Sequence, residues 1–239
     1  METLEMGWPS RLVAVLGQHS PSWAHKKMEV MAEMTKTAGI ILYPDFEELD
    51  AIGPYEVLGM LGKLDPEWRI VTIADKAGPV RSLSGLNVVA DHGFDDAPAL
   101  DVILVPGGLG SRKAMDDTRL VNYVRQSGQA AAWVTSVCTG AMILHRAGFL
   151  AGRPATTHWG AIHELKALGD VDVKEGARWV HDDNLITSAG VSAGIDMALY
   201  LVSLLKDERT AASVQKMMEY YPQPPSFENL RTSGAGATT

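Results

Sequence analysis

Short apolar strands alternate with helical segments along this chain, and that alternation limits the fold more than any other feature. Four runs have the length and aliphatic content of buried strands: residues 38–42, 68–74, 102–105 and 132–137. Strands that alternate with helices in this way form a mostly parallel sheet with helices on both faces. The sequence therefore predicts an α/β fold in which functional residues collect at the carboxyl ends of the strands.

Turn residues and apolar spacing divide the rest of the chain. Gly53 and Pro54 are expected to open a helix, since proline suits a first helical turn. Two hairpins are expected, one joining residues 80–82 to 86–90 and one joining 178–181 to 185–187. Further helices are predicted at 120–126, 140–147, 161–168, 193–205 and 210–220.

The 239 residues suit one large domain better than two small ones. We expect a single α/β domain over residues 37–227. Residues 1–36 are interpreted as an N-terminal extension that is partly disordered. The small-residue segment 228–239 is expected to be a flexible tail.

Composition excludes several classes of function. A net charge of -8 argues against a nucleic-acid partner, which would need a clustered basic surface. No apolar run approaches the roughly 18 residues of a membrane-spanning helix, and no signal peptide begins the chain. The single cysteine rules out an intrachain disulfide and a multi-thiolate zinc site. We therefore expect a cytoplasmic protein with no membrane partner and no metal.

That cysteine, Cys138, lies where a predicted strand runs directly into a predicted helix. Ser136 and Gly140 stand two residues to either side, and a nucleophile elbow needs small residues at both positions. The helix N-terminus is expected to favour the thiolate, which is the reactive form. The alternative is an inert, buried core cysteine.

A glycine-rich turn follows another core strand, where Pro106 precedes Gly107 and Gly108. Glycines there could leave backbone N–H groups open to negative charge developing near Cys138. A dinucleotide-binding turn would need a further glycine where Lys113 stands. A plain strand-ending turn remains the alternative.

Asp50 follows the first strand, and so belongs to the same edge of the sheet. Its neighbours Leu49, Ala51 and Ile52 are apolar, so its carboxyl is expected to be partly desolvated and to have a raised pKa. Such a group can donate and accept a proton near neutral pH. Asp50 could equally be the N-cap of the helix that Pro54 opens.

Two further segments carry candidate substrate contacts. His158 could be a base and Trp159 a pocket wall, although a structural histidine is the favoured interpretation. His158 and His163 are five residues apart, the wrong spacing for a helical zinc pair, so no metal is assigned. The loop 188–194, with Val191 at its centre, could pack against the cysteine turn, and ordinary helix–sheet packing would explain its glycines nearly as well.

These motifs together resemble the ThiJ/PfpI superfamily, and within it the isonitrile hydratases. The resemblance covers residues 37–227. The matching stretches are LDAIGPYEVL at 49–58, VPGG at 105–108, TSVCTG at 135–140, ATTHW at 155–159 and AGID at 193–196.

The resemblance implies a flavodoxin-like three-layer sandwich and a homodimer without a cofactor. It places the nucleophile at Cys138, the acidic residue at Asp50 and the family's following threonine at Thr139. The implied activity is hydration of isonitriles to N-substituted formamides through a covalent thioimidate. Many superfamily hydrolases carry a histidine directly after the cysteine, which makes protease activity doubtful here.

Two alternatives stay open. One is a glyoxalase- or amidase-like hydrolase acting at the same site. The other is a non-enzymatic redox sensor that works through oxidation of Cys138. The cysteine motif also occurs in AraC-type regulators, which append a DNA-binding domain. We expect no such domain after residue 227.

Overall fold

The predicted strands join into one mixed sheet in the computed structural model of the protein, which describes residues 35–223. The strands of this part of the chain are β1 (Lys36–Ile41), β2 (Trp68–Ala74), β3 (Gly78–Arg81), β4 (Asn87–Ala90), β5 (His92–Gly93), β6 (Val102–Val105), β7 (Trp133–Val137), β8 (Pro154–Ala155), β9 (Asp172–Val173), β10 (Trp179–Asp182) and β11 (Leu185–Ser188). Seven of them form the main sheet in the order β10-β11-β7-β6-β1-β2-β5. Every neighbouring pair in it is parallel except β10 and β11.

Helices cover this sheet in two groups. They are α1 (Glu48–Leu64), α2 (Ser111–Ala114), α3 (Thr118–Ala130), α4 (Gly140–Arg146), α5 (Ile162–Ala167), α6 (Ala193–Leu205) and α7 (Glu208–Met217). Helices α1, α6 and α7 pack together, while α4 packs against α2 and α3. The predicted α/β fold with a mostly parallel sheet is thus confirmed, and both predicted hairpins, β3–β4 and β10–β11, are present.

Helix α1 differs from its prediction. It begins at Glu48 rather than at Gly53 and Pro54, so the proline lies inside the helix. The acidic side chains of Glu48 and Asp50 in the first turn favour an early start, because a helix N-terminus attracts negative charge. Ala51 and Pro54 are both buried in this helix, so its first two turns pack against the core although the proline removes one hydrogen bond.

The N-terminal boundary also moves by one residue. Lys36 begins β1, where it pairs with Trp68, and its N–H donates to the carbonyl of Glu67 at 2.7 Å. The remaining expectations for the chain ends concern residues 1–34 and 224–239, which lie outside the described residues. Between residues 35 and 223, no helix has both the length and the apolar character needed to cross a membrane.

The sheet order brings three loops to one edge. Strands β1, β6 and β7 are neighbours and run in the same direction, so their carboxyl ends lie side by side. The start of α1 follows β1, Gly107 and Gly108 follow β6, and Cys138 follows β7. This edge therefore holds the candidate site.

Candidate active site

Cys138 stands on a sharp turn between β7 and α4. Its φ is +57°, a left-handed value that non-glycine residues seldom adopt. The turn fits tightly: a Cβ added to Gly140 would lie 2.1 Å from the carbonyl oxygen of Val105. This is the backbone geometry of a nucleophile elbow, and it explains why only glycine fits at position 140.

Hydrogen bonds from other segments hold this turn. The Cys138 N–H donates to the carbonyl oxygens of Ser188 and Ala189 at 3.1 and 3.2 Å. The buried hydroxyl of Thr157 donates to the Cys138 carbonyl oxygen at 2.8 Å. Thr157 lies in the matching stretch 155–159 but was not among the candidate site residues, because the sequence does not show which distant carbonyl oxygen its hydroxyl bonds.

Asp50 lies beneath Cys138 with a fully buried side chain. Its Oδ2 accepts from the Gly107 N–H at 2.9 Å, and its Oδ1 accepts from the Val191 N–H at 3.0 Å. The carboxyl also lies close enough to the Cys138 thiol that each group affects the pKa of the other. The N-cap alternative is wrong, because Asp50 sits within α1 and bonds distant loops, while Glu47 occupies the cap position.

The two buried groups shift each other's proton affinity. Burial raises the pKa of Asp50 to about 7, against the opposing effect of the Gly107 and Val191 N–H groups. Burial, followed by the charge of Asp50, raises the pKa of the Cys138 thiol to about 12. The N–H and hydroxyl of Thr139 act in the other direction but are weaker. The expectation of a helix-stabilised thiolate is therefore wrong for the resting protein, which holds a neutral thiol beside a titratable carboxyl.

The glycine turn serves a different purpose from the one expected. The Gly107 N–H is bound to Asp50, and the Gly108 N–H donates to the Thr139 hydroxyl at 3.0 Å. That hydroxyl in turn donates to the Gly108 carbonyl oxygen at 3.0 Å. Both N–H groups are thus occupied, so they position Asp50 and Thr139 and are not open to developing negative charge.

A pocket of about 280 Å³ opens above the thiol. Of the predicted residues, Asp50 and Gly107 lie below its floor and the other six line it. The full lining is Glu47, Leu83, Gly108, Leu109, Arg112, Cys138, Thr139, His158, Trp159, Gly160, Ala161 and Val191. The structure therefore brings the predicted site residues together.

Three of these lining residues have distinctive environments. His158 Nδ1 accepts from the Gly160 N–H at 3.1 Å, and a Cβ on Gly190 would collide with the His158 ring. Trp159 is 84% exposed and stands at the rim. Val191 has φ +54°, a strained value for a β-branched residue, and this conformation aims its N–H at Asp50.

Six lining residues were not foreseen: Glu47, Leu83, Leu109, Arg112, Gly160 and Ala161. Glu47 has the clearest sequence signal, since it precedes Asp50 by three residues in the same loop-to-helix segment. The others come from segments whose directions depend on the folded backbone. Over residues 35–223, no group of three or more His, Cys, Asp or Glu side chains is arranged to hold a metal ion.

Comparison with known proteins agrees with this geometry. The chain is 42% identical over 192 residues to an isonitrile hydratase of Pseudomonas putida, covering 80% of this chain and 82% of that protein. A ThiJ/PfpI family protein from Pseudomonas syringae has a similar structure, with a TM-score of 0.76, 34% identity and 84% coverage of each chain.

A more distant relative matches this chain over only about half of the relative's own length. The transcriptional regulator GbdR of Pseudomonas aeruginosa is 26% identical over 187 residues, which cover 77% of this chain and 51% of the regulator. The model of the DJ-1/PfpI family matches residues 36–204, which include every residue of the site described above. This chain belongs to the DJ-1/PfpI family.

Proposed function

We propose that this protein hydrates isonitriles, R–N≡C, to N-substituted formamides, with Cys138 as the nucleophile and Asp50 as the proton carrier. The observation that carries the proposal is the buried Asp50 carboxyl beside Cys138, held by the Gly107 and Val191 N–H groups and with its pKa raised to about 7. The 42% identity to the P. putida isonitrile hydratase supports the choice of substrate.

The first half of the reaction is addition of the thiol to the terminal isonitrile carbon. Ionised Asp50 accepts the thiol proton while sulfur bonds to that carbon, and one carbon–nitrogen π bond breaks, its electron pair going to nitrogen while the carbon keeps its lone pair. Asp50 returns the proton to this carbon. The product is the thioimidate Cys138–S–CH=N–R, formed with no leaving group, and covalent catalysis of this kind replaces one hard step by two easier ones.

The second half is hydrolysis of that thioimidate. Asp50 accepts a proton from water while the oxygen bonds to the same carbon, and passes that proton to the nitrogen as the C=N bond opens. Asp50 then accepts the hydroxyl proton of this adduct while the carbon–oxygen double bond forms and the carbon–sulfur bond breaks; the sulfur takes that proton from Asp50, and R–NH–CHO leaves. The sum is R–NC plus water giving the formamide, with Cys138 and Asp50 restored.

The surrounding contacts suit these steps. A pKa of about 7 lets Asp50 give and take a proton near neutral pH. Two backbone N–H groups fix its carboxyl beside Cys138, so little reorganisation is needed before the proton moves. The Thr139 N–H lies at the sulfur and eases its departure as thiolate.

An assay of formamide production from para-nitrophenyl isonitrile tests the proposal. Wild type should turn over, and Cys138→Ala should retain no more than a trace of activity while keeping its fold. Intact-mass spectrometry during turnover should show an adduct equal to the whole substrate mass. Absence of turnover by the wild-type protein, or turnover by the alanine variant, would refute the mechanism.

A further inference from the structure

Glu47 places an unpaired carboxylate in the wall of the active-site pocket. Its backbone N–H donates to the Gly107 carbonyl oxygen at 2.8 Å, which fixes its position next to the glycine turn. Within residues 35–223, no hydrogen bond or ion pair reaches its carboxyl oxygens. Partial burial, together with the charge of Glu48, raises its pKa, and His158 acts in the opposite direction. A carboxylate with no partner at the entrance of a small-molecule site is available to a ligand.

The other charged groups of the wall are already satisfied. Arg112 binds Glu164 through two nitrogens, at 3.0 and 2.8 Å, and a third contacts the Gly108 carbonyl oxygen at 3.3 Å. His158 accepts at Nδ1 from a backbone N–H, so its neutral form carries its proton on Nε2. The pocket wall therefore has a net negative character from Glu47, and Asp50 below the floor has the same sign.

The rim supplies a surface that suits an organic cation. Trp159 exposes its ring, and the apolar side chains of Leu83 and Leu109 are also exposed there. An ammonium group is attracted both by a carboxylate and by the face of an indole ring. A carboxylate on the substrate would meet repulsion from Glu47 with no free cation among the described lining residues to offset it.

We infer that Glu47 is a specificity-determining residue and that the preferred substrates are isonitriles whose N-substituent carries a protonated amine. This inference rests on the proposed function and deepens it. Glu47 binds the ammonium, Trp159 packs against it, and the isonitrile carbon extends inward to Cys138. Isonitriles with an anionic substituent are disfavoured at the same pocket.

A matched substrate series tests the inference by turnover. The cationic substrate is 3-(dimethylamino)propyl isonitrile, its neutral isostere is 4-methylpentyl isonitrile, and the anion is isocyanoacetate. Wild type should give the highest kcat/KM for the cation and the lowest for the anion. In Glu47→Gln, the ratio of cation to neutral kcat/KM should fall by about tenfold, the effect expected from loss of one nearby charge.

Glu56→Gln is the control for net charge. Glu56 is exposed on α1, and its carboxylate makes no hydrogen bond or ion pair within residues 35–223. This variant should therefore keep the wild-type ratio of cation to neutral kcat/KM. An unchanged ratio in Glu47→Gln, or an equal fall in both variants, would overturn the inference.

A second readout does not depend on turnover. Cys138 is the only cysteine of the chain, so methanethiosulfonates modify this site alone, forming a disulfide and releasing methanesulfinate. The trimethylammonium-ethyl reagent should react faster than the sulfonatoethyl reagent, relative to their intrinsic rates with a free thiol. Glu47→Gln should lower this rate ratio by about tenfold and Glu56→Gln should not. If no isonitrile is turned over but Glu47→Gln alone lowers this rate ratio, the proposed reaction fails, while the preference of Glu47 for cations stands. A rate ratio that is equal in wild type and both variants refutes that preference.

Discussion

The Asp50 carboxyl and the Cys138 thiol interact in the interior of the protein, although 88 residues of sequence separate them. The Asp50 carboxylate disfavours ionisation of the thiol, because two negative charges are costly to hold together where water is scarce. With a pKa of about 7, the Asp50 carboxyl is half protonated at pH 7, so the pair binds about half a proton more than two isolated side chains would. Reaction of the thiol at this pair includes the transfer of a proton. Replacing either partner should therefore change the reactivity of the thiol and the rate of turnover to different extents.

Asp50→Asn should separate those two properties. Turnover of an aryl isonitrile should fall by roughly 10²–10⁴-fold, since an amide cannot carry the proton. Alkylation of Cys138 by iodoacetamide at pH 9 should become faster, because the carboxylate that raises the thiol pKa is gone. Steady-state assays and intact-mass alkylation kinetics measure the two effects. A variant within threefold of wild-type turnover would exclude Asp50 as the proton carrier.

The pH dependence of the wild-type enzyme should follow Asp50. The carboxyl must be ionised to accept the thiol proton, so kcat/KM should rise as the pH increases through about 7 and then level off. The thiol, with a pKa of about 12, should add no second limb below pH 9. A profile that is flat from pH 5 to 9 would contradict this assignment, and Asp50→Asn is the control that should lack the limb.

Stability should depend on the same carboxyl with a definite sign. Because the native pKa of Asp50 is about 7 and its ordinary value is 3.8, the native state keeps this proton where the unfolded chain has lost it. The contribution of this bound proton to the free energy of unfolding is present in full below pH 3.8 and is lost as the pH rises through 7. The unfolding free energy of Asp50→Asn minus that of wild type should therefore increase by about 3 kcal/mol between pH 5 and pH 8. Urea denaturation at the two pH values measures it, and an unchanged difference would mean that the carboxyl is not desolvated.

The sequence predicted the parts of this fold that depend on local pattern. Apolar runs located the core strands, and Trp68–Ala74, Val102–Val105 and helix Ala193–Leu205 have the expected bounds. Small residues around Cys138 identified the elbow because a sharp turn excludes bulk at fixed offsets. The order of strands then placed the candidate residues at one edge of the sheet.

What the sequence could not predict depends on distant contacts. Residues on either side of Asp50 are apolar, but only the fold shows that its carboxyl faces the Gly107 and Val191 N–H groups. The same contacts remove the expected free donors at the glycine turn. A dipole argument at the helix N-terminus favoured the Cys138 thiolate, whereas burial beside a second acid outweighs that local effect.

Gly107 offers a test of how tightly the site is built. A Cβ at this position would lie 2.5 Å from the Thr139 backbone nitrogen and 2.8 Å from the Cys138 Cβ, with no flexible side chain able to yield. Gly107→Ala should therefore displace the N–H group that binds the Asp50 carboxyl and reduce kcat/KM by at least about 100-fold, since small displacements of reacting groups have effects of this size.

The matched control is Gly59→Ala in the middle of α1, where an added Cβ meets nothing within 4 Å. That variant should keep its activity and gain about 0.5–1 kcal/mol of stability, because alanine loses less conformational freedom in a helix than glycine does. Paired kinetics and thermal melts would measure both, and wild-type activity in Gly107→Ala would show that the turn can move without disturbing Asp50 and Cys138.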